Sequence, residues 1–251
     1  MSVKSAKDAV KYAAENKAEM VDYKFCDMLG TWQHFTTPMS EFEEAVFEEG
    51  LGFDGSSIRG WKAINASDML VVPDASTARM DPFMERPTLS LICDIEDPLT
   101  REKYDRDPRN IAIKAVNFLK STGIADTCYF GPEPEFFIFD SARFVTRQNM
   151  GYYEVDSCEA VWNTDEDGGQ NLGYKIRSKE GYIPCAPNDQ FQDIRTEMCQ
   201  EMERVGIRIE RQHHEVATAG QMEIGTRFST HTERADWTQD MRSEEHTSEL
   251  Q

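Results

Sequence analysis

The sequence predicts an α+β protein in two successive parts: a small strand-rich domain over residues 16–101, then a part of antiparallel strands and helices over 108–241. Three observations predict this. Short runs rich in β-branched and aromatic residues, bounded by turn residues, dominate the N-terminal part. The stretch "PLTREKYDRDPRN" then interrupts the chain with two prolines and a block of charge. Beyond it, segments with helical spacing alternate with strand-like runs.

The elements follow in order. Ser5 can cap a first helix, with Asp8 three residues on and Ala9, Val10, Tyr12 and Ala13 as a partial apolar face. "MVDYKFCDMLGTWQHFTTP" reads as two strands around a turn near Asp27 to Gly30. Ser40 with Glu43 has the form of a capping box for a short helix, "EFEEAVFEEG", closed by Gly50. "DMLVVPD" and "RPTLSLICDIED" are further strands. "NIAIKAVNFLKSTG" has helical spacing and a glycine stop, and strands are expected at Thr127 to Phe130 and Glu135 to Phe139. The Gly- and Asp-rich "NTDEDGGQNLGYKIRSKEGYIP" reads as long loops. A helix over "NDQFQDIRTEMCQEMERVG" leads into two strands, "IRIERQHHEVATAGQMEIGTRF", turning at Gly220.

Composition narrows the function classes. The chain has 251 residues and is 39% hydrophobic, ordinary for a folded domain, and its formal charge of -19 opposes binding to a phosphate backbone. Nucleic acid is excluded as a natural partner. The N-terminus has no continuous apolar run, so neither a signal peptide nor a membrane span is expected, and a cytoplasmic location follows. The six cysteines form no C-x-x-C pair and are expected to be reduced and mostly buried.

The chemistry lies in carboxylates. In "GPEPEFFIFD", Glu133 and Glu135 are two residues apart, and on a strand residues i and i+2 share a face about 7 Å apart, close enough to serve two adjacent cations. Alone, the pair reads equally well as solvated surface. Glu215 and Glu223 flank the "HHEVATAGQME" turn, where a hairpin brings them near each other. Converging carboxylates repel unless a cation intervenes, and oxygen donors suit Mg2+ or Mn2+. Zinc is less favoured, since His213 and His214 are adjacent and lack the i, i+4 spacing of a helical zinc pair. "GSSIRGWK" only superficially resembles a phosphate-binding loop because Trp61 precedes Lys62, and no G-x-S-x-G nucleophile elbow occurs.

Four stretches, "GPEPEFFIFD", "HHEVATAGQMEIGTRF", "LGFDGSSIRGWKAI" and "PNDQFQDIRTEMCQEM", together resemble class I, bacterial-type glutamine synthetase, from about residue 3 to Met241. The resemblance implies a β-grasp-like N-terminal domain and the first part of a catalytic α+β domain. It also implies ATP-dependent formation of glutamine from glutamate and ammonium through γ-glutamyl phosphate. By it, Glu135, Glu215 and Glu223 match the ligands of one Mg2+ or Mn2+ and Glu133 a ligand of a second. Glu210 and Tyr182 match nucleotide contacts, and Asp54 matches the aspartate that helps bind and deprotonate ammonium. Without the family, Asp54 is a turn residue ahead of Gly55. The implied partners are glutamate, ammonium, ATP and further copies of the chain in a homododecamer, with no nucleic acid or membrane.

The family's later segment has no counterpart here. It holds the second metal's histidine, a glutamate-bearing flap and the arginines that hold glutamate and phosphate. The chain is therefore expected to be a C-terminally truncated fragment, inactive by itself. Residues 242–251, "RSEEHTSELQ", resemble the in-frame translation of a sequencing-library adapter and are expected to be non-native and disordered. Two other readings stay open: a γ-glutamyl-amine (polyamine) ligase of the same superfamily, and a non-enzymatic structural or regulatory relative.

Overall fold

The computed structural model describes residues 3–165, 171 and 173–248, with side chains to Arg242. Packing divides the chain into two compact units, Met1–Phe130 with Ser229–Asp240, and Gly131–Phe228 with Met241–Gln251.

The first unit opens with α1, Ala6–Glu15. Its cap is reciprocal: the Ser5 hydroxyl accepts from the Asp8 amide and donates to the Asp8 carboxylate at 2.8 Å. Strands β1 (Met20–Cys26) and β2 (Trp32–Pro38) form the expected hairpin. Gly30 supplies a φ of 82° at the turn, and the Asp27 carboxylate accepts from the Leu29 and Thr31 amides.

The next segment corrects the expected capping box. Met39–Glu41 is a 3-10 turn, and the helix α2 is shorter, Val46–Glu49, with Ala45 rather than Ser40 at its N-cap. Phe42 is the reason. Its side chain is buried against Phe47, ring centroids 5.6 Å apart, and its backbone is extended where a helix from Ser40 would need helical angles. Gly50 closes α2 at φ 74°, as expected.

Strands β3 (Leu51–Asp54), β4 (Asp68–Pro73), β5 (Arg79–Met80) and β6 (Thr88–Glu96) complete a six-stranded sheet of order β2-β1-β6-β4-β3, with β5 also paired to β6. Only the β1–β6 pair is parallel. The core is built on this sheet: Val21, Tyr23, Val71, Leu89, Leu91 and Ile95 are fully buried together with Ala9 and Ala13 of α1. The helix α3, Pro108–Ser121, starts on the Asp107 cap with proline at its first position. The short strand β7 is Tyr129–Phe130.

The second unit contains β8 (Glu135–Phe137), the hairpin β9 (Ser141–Arg147) and β10 (Met150–Asp156), the helix α4 (Gln192–Arg204), and the strands β11 (Ile209–His214) and β12 (Gln221–Thr226). Its sheet has the order β11-β12-β8, all antiparallel. α4 packs on β11 and buries Met198 and Met202, while its buried Arg195 pairs bidentately with Asp189. In the segment expected to be looped, residues 166–170 and 172 lie outside the described residues. The described remainder holds turns and one isolated bridge, Ala160 to Ile176.

The chain then returns to the first unit through β13 (Ser229–Thr230), paired with β7, and α5 (His231–Ser248). Arg109 of α3 joins three segments there: its guanidinium donates to Asp74, Asp94 and Asp236 at 2.7, 2.6 and 3.0 Å. The backbone of α5 continues through Ser248, into the segment expected to be disordered. Adding residues to an existing helix is cheap once it is nucleated.

No disulfide links the six cysteines; Cys26 and Cys93 are buried, Cys185 is exposed and the others are partly exposed. Fewer are buried than expected, because Cys158, Cys185 and Cys199 fall on the loops and outer helix of the second unit. Among the described residues no helix is long and apolar enough to cross a membrane.

Candidate metal centre

The β11-β12-β8 sheet sets one row of donors across three strands. Glu223 on β12 stands opposite Glu135 of β8 on one side and opposite His213 of β11 on the other. Residues directly opposed in a ladder point to the same face, so His213, Glu223 and Glu135 face one site. Glu215 lies two residues past His213, and Glu133 two residues before Glu135. Both lie just beyond the strand ends; Glu215 Oε1 comes within 3.7 Å of His213 Nδ1, and the charge of Glu133 acts on Glu223.

The alternation along β12 shows why the site can be built there. Met222 and Ile224 are fully buried on one side, while Gln221 and Glu223 occupy the other. The apolar pair anchors the strand and the polar pair serves the site. Gly220 makes the hairpin possible for two reasons: its φ is 76°, and a Cβ there would lie 2.4 Å from the Ile138 carbonyl oxygen.

The donors are close. His213 Nε2 lies 3.7 Å from Glu223 Oε2, and His213 Nδ1 lies 3.7 Å from Glu215 Oε1. One donor atom from each of the three residues lies within 4.8 Å of the other two. Glu135 Oε2 accepts from Gln221 Nε2 at 2.6 Å, and Glu215 Oε2 accepts from the Val216 amide at 2.6 Å.

Burial raises the Glu223 carboxyl above its ordinary range; His213 opposes this, and the charges of Glu133, Glu215 and Glu135 raise it further. The other three sequence-predicted carboxylates therefore all act on Glu223. A cluster of oxygen donors whose mutual repulsion is felt as a raised carboxyl, with a single imidazole at its edge, fits a hard or borderline divalent cation such as Mg2+ or Mn2+.

The other site residues divide between the units. The Tyr182 ring stands edge-on to the His213 ring with centroids 5.6 Å apart, beside the donor row. Glu210 is the extra residue of a β-bulge, where the register jumps between Ile209 and Arg211, and it is exposed. Asp54 belongs to the first unit, not to the donor row. Its carboxylate accepts from the Ser56 hydroxyl (2.6 Å) and amide (2.8 Å) and from the Ser57 hydroxyl (3.1 Å), which hold it below the usual carboxylate range.

The comparisons with known proteins identify the two domains. The model of the glutamine synthetase catalytic domain matches residues 105–247, and that of the glutamine synthetase β-grasp domain matches residues 17–98. The chain belongs to the glutamine synthetase family. A glutamine synthetase of Nostoc sp. is 55% identical over 233 residues, covering 92% of this chain and 49% of that protein. The cryo-EM structure of Plasmodium falciparum glutamine synthetase superposes with a TM-score of 0.88 at 27% identity, over 100% of this chain and 49% of that one. A protein named 3-hydroxylaminophenol mutase, from Cupriavidus pinatubonensis, is also 51% identical over 236 residues, covering 94% of this chain and 50% of that protein. Identity by itself therefore does not select the reaction. The chain spans about half the length of the curated relatives it matches.

Sequence reasoning missed His213. The i, i+4 spacing of a helical pair does not apply on a strand, where His213 enters the row through its register opposite Glu223. Sequence reasoning also missed the link between Glu159 and His214 behind the row, for which a single sequence carries no signal, since the two are far apart in the chain.

Proposed function

We propose that this chain carries the N-terminal half of an ATP-dependent glutamate–ammonia ligase. The observation that carries the reading is the row of Glu135, Glu223 and His213 with Glu215, built on a chain of the glutamine synthetase family. Glu135, Glu215 and Glu223 would hold one Mg2+ or Mn2+, and Glu133 would contribute to a second. The cations supply neutralisation of phosphate charge and alignment of the reacting groups. In the reaction the γ-carboxylate of glutamate attacks the γ-phosphorus of ATP and ADP leaves. Ammonia then attacks the acyl carbon, phosphate leaves, and glutamine is formed.

The chain's own residues have separate tasks. The carboxylate row fixes where the phosphates sit, and Gln221 orients Glu135 through its 2.6 Å hydrogen bond. Glu210 and Tyr182 contact the nucleotide. Asp54 stays ionised because two serines donate to it, so it attracts ammonium as a fixed anion and accepts its proton only weakly. It would serve the site of a neighbouring copy in a homododecamer. The protein is expected in the cytoplasm.

The test is an assay of the chain completed to the length of its relatives, supplied with glutamate, ATP and either ammonium or an alkylamine. Glutamine, ADP and phosphate in equal amounts are expected with ammonium. ATP turnover with the alkylamine alone would assign the γ-glutamyl-amine ligase reading, and no turnover with either would assign a non-enzymatic relative.

A further inference from the structure

We propose that the buried Glu159–His214 pair is a positioning device that holds the cation-binding carboxylate Glu215 and the loop carrying Tyr182 in a fixed relation. The inference rests on the metal reading above and adds residues that reading does not use.

Both side chains are fully buried, with His214 Nε2 3.0 Å from Glu159 Oε2. Glu159 Oε2 also accepts from the Gly220 amide at 2.9 Å, and Oε1 accepts from the Gln190 amide at 2.7 Å. On the far side of the ring, His214 Nδ1 lies 2.7 Å from the Gly181 carbonyl oxygen and 2.8 Å from that of Glu215. Carbonyl oxygens only accept, so Nδ1 carries the hydrogen. The pair thus ties together the Gly181 loop, the approach to α4, the end of β11 with the Glu215 that follows it, and the Gly220 turn.

The loop is seated as closely as a backbone allows. A Cβ at Gly181 would lie 2.5 Å from the Glu215 carbonyl oxygen and 2.9 Å from His214 Cε1. Three amides of the same loop bond to the chain around Glu215: Lys179 to Ala217 O at 2.7 Å, Gly181 to Val216 O at 3.3 Å, and Ile183 to His214 O at 3.2 Å. Tyr182, between two of these, rests against the His213 ring. A buried ionic pair whose every polar atom has a partner is weak evidence for stability. Its location behind a ligand and a ligand-facing loop gives it a positioning role.

The test uses the purified 251-residue chain with two readings, the affinity and EPR spectrum of bound Mn2+, and amide exchange at Lys179, Gly181 and Ile183 without metal. In Glu159→Gln the amide nitrogen takes the place of one acceptor, so a buried donor loses its partner. We expect Mn2+ binding about tenfold weaker or more, an altered EPR line shape, and faster exchange in the loop. Met202→Ala, a cavity in α4 of the same unit, should lower the unfolding midpoint and leave both readings unchanged. Should Glu159→Gln fail to fold, Gly181→Ala is expected to give the same two effects without changing charge. A folded Glu159→Gln chain with native Mn2+ affinity and native loop exchange overturns the proposal, as does an equal loss of affinity in Met202→Ala. If the unaltered chain binds no Mn2+, the metal reading fails, and loop exchange alone decides the positioning claim.

Discussion

β6 in the first unit and β12 in the second are both central strands, and they use their two faces differently. In β6, Leu89, Leu91, Ile92, Cys93 and Ile95 are at most 1% exposed, so both faces serve the core. In β12, only the Met222 and Ile224 face is apolar, and the opposite face holds Gln221 and Glu223 among like charges. The first unit has a large shared apolar core around its sheet. The second leaves Phe144 and Tyr153 of its hairpin 80% exposed and concentrates buried polar groups near the donor row. The difference teaches that the first sheet is stabilised by burial on both faces, whereas the second gives one face to buried and half-buried polar groups. On the proposed metal reading, a bound cation would add to the second sheet's stability.

The largest expected effect breaks the first side of this comparison. Leu91→Ala removes a fully buried side chain from the core and should cost about 3 kcal/mol in urea unfolding followed by circular dichroism. The loss should be the same with and without Mn2+. A cost under about 1 kcal/mol would mean that the core relaxes around the cavity and is not the source of the unit's stability.

A smaller effect sharpens the electrostatic side. Burial pushes the Asp107 carboxyl up to about 6, against hydrogen bonds from the Ile95 and Arg109 amides, and burial likewise pushes Asp240 to about 6. A carboxyl whose folded value is raised binds protons more tightly when folded. Stability of the first unit should therefore increase as pH falls from about 6 toward 4, and decrease as pH rises through that window. For Asp107 the change is on the order of 3 kcal/mol. Burial raises the Asp236 carboxyl of the same unit as well. Asp107→Asn keeps a helix cap and should remove part of the slope and leave that of Asp236 and Asp240, read from urea midpoints at several pH values. An unchanged slope would place the titration elsewhere.

Legibility followed a different divide, between local rules and tertiary packing. The Ser5–Asp8 cap, the Gly30 turn and the Gly220 hairpin were readable because each is set by a local rule of backbone conformation or capping. The pair of strands around Gly220 brings Glu215 and Glu223 near each other, as expected. The i, i+2 rule does not apply to Glu133, which lies before the start of β8 at Glu135. The β9–β10 hairpin was not anticipated. Most of its positions are exposed on both faces, so it carries no alternation of apolar and polar residues. The Ser40 helix failed because burial of Phe42, a tertiary effect, overrode a valid local signal. Glu159 and His214 meet only through the fold.

The claim that the donor row is a divalent-cation centre is tested most directly by titrating Mn2+ into this chain and its Glu223→Gln variant, following bound Mn2+ by EPR and thermal unfolding in parallel. The account predicts saturable binding to the unaltered chain, and stabilisation of about 1.4 kcal/mol at a tenfold excess of Mn2+ over its dissociation constant. Both effects should be strongly reduced in the variant, because Glu223 lies between Glu135 and His213 in the row. Absence of saturable binding, or equal affinity in the two chains, would contradict it.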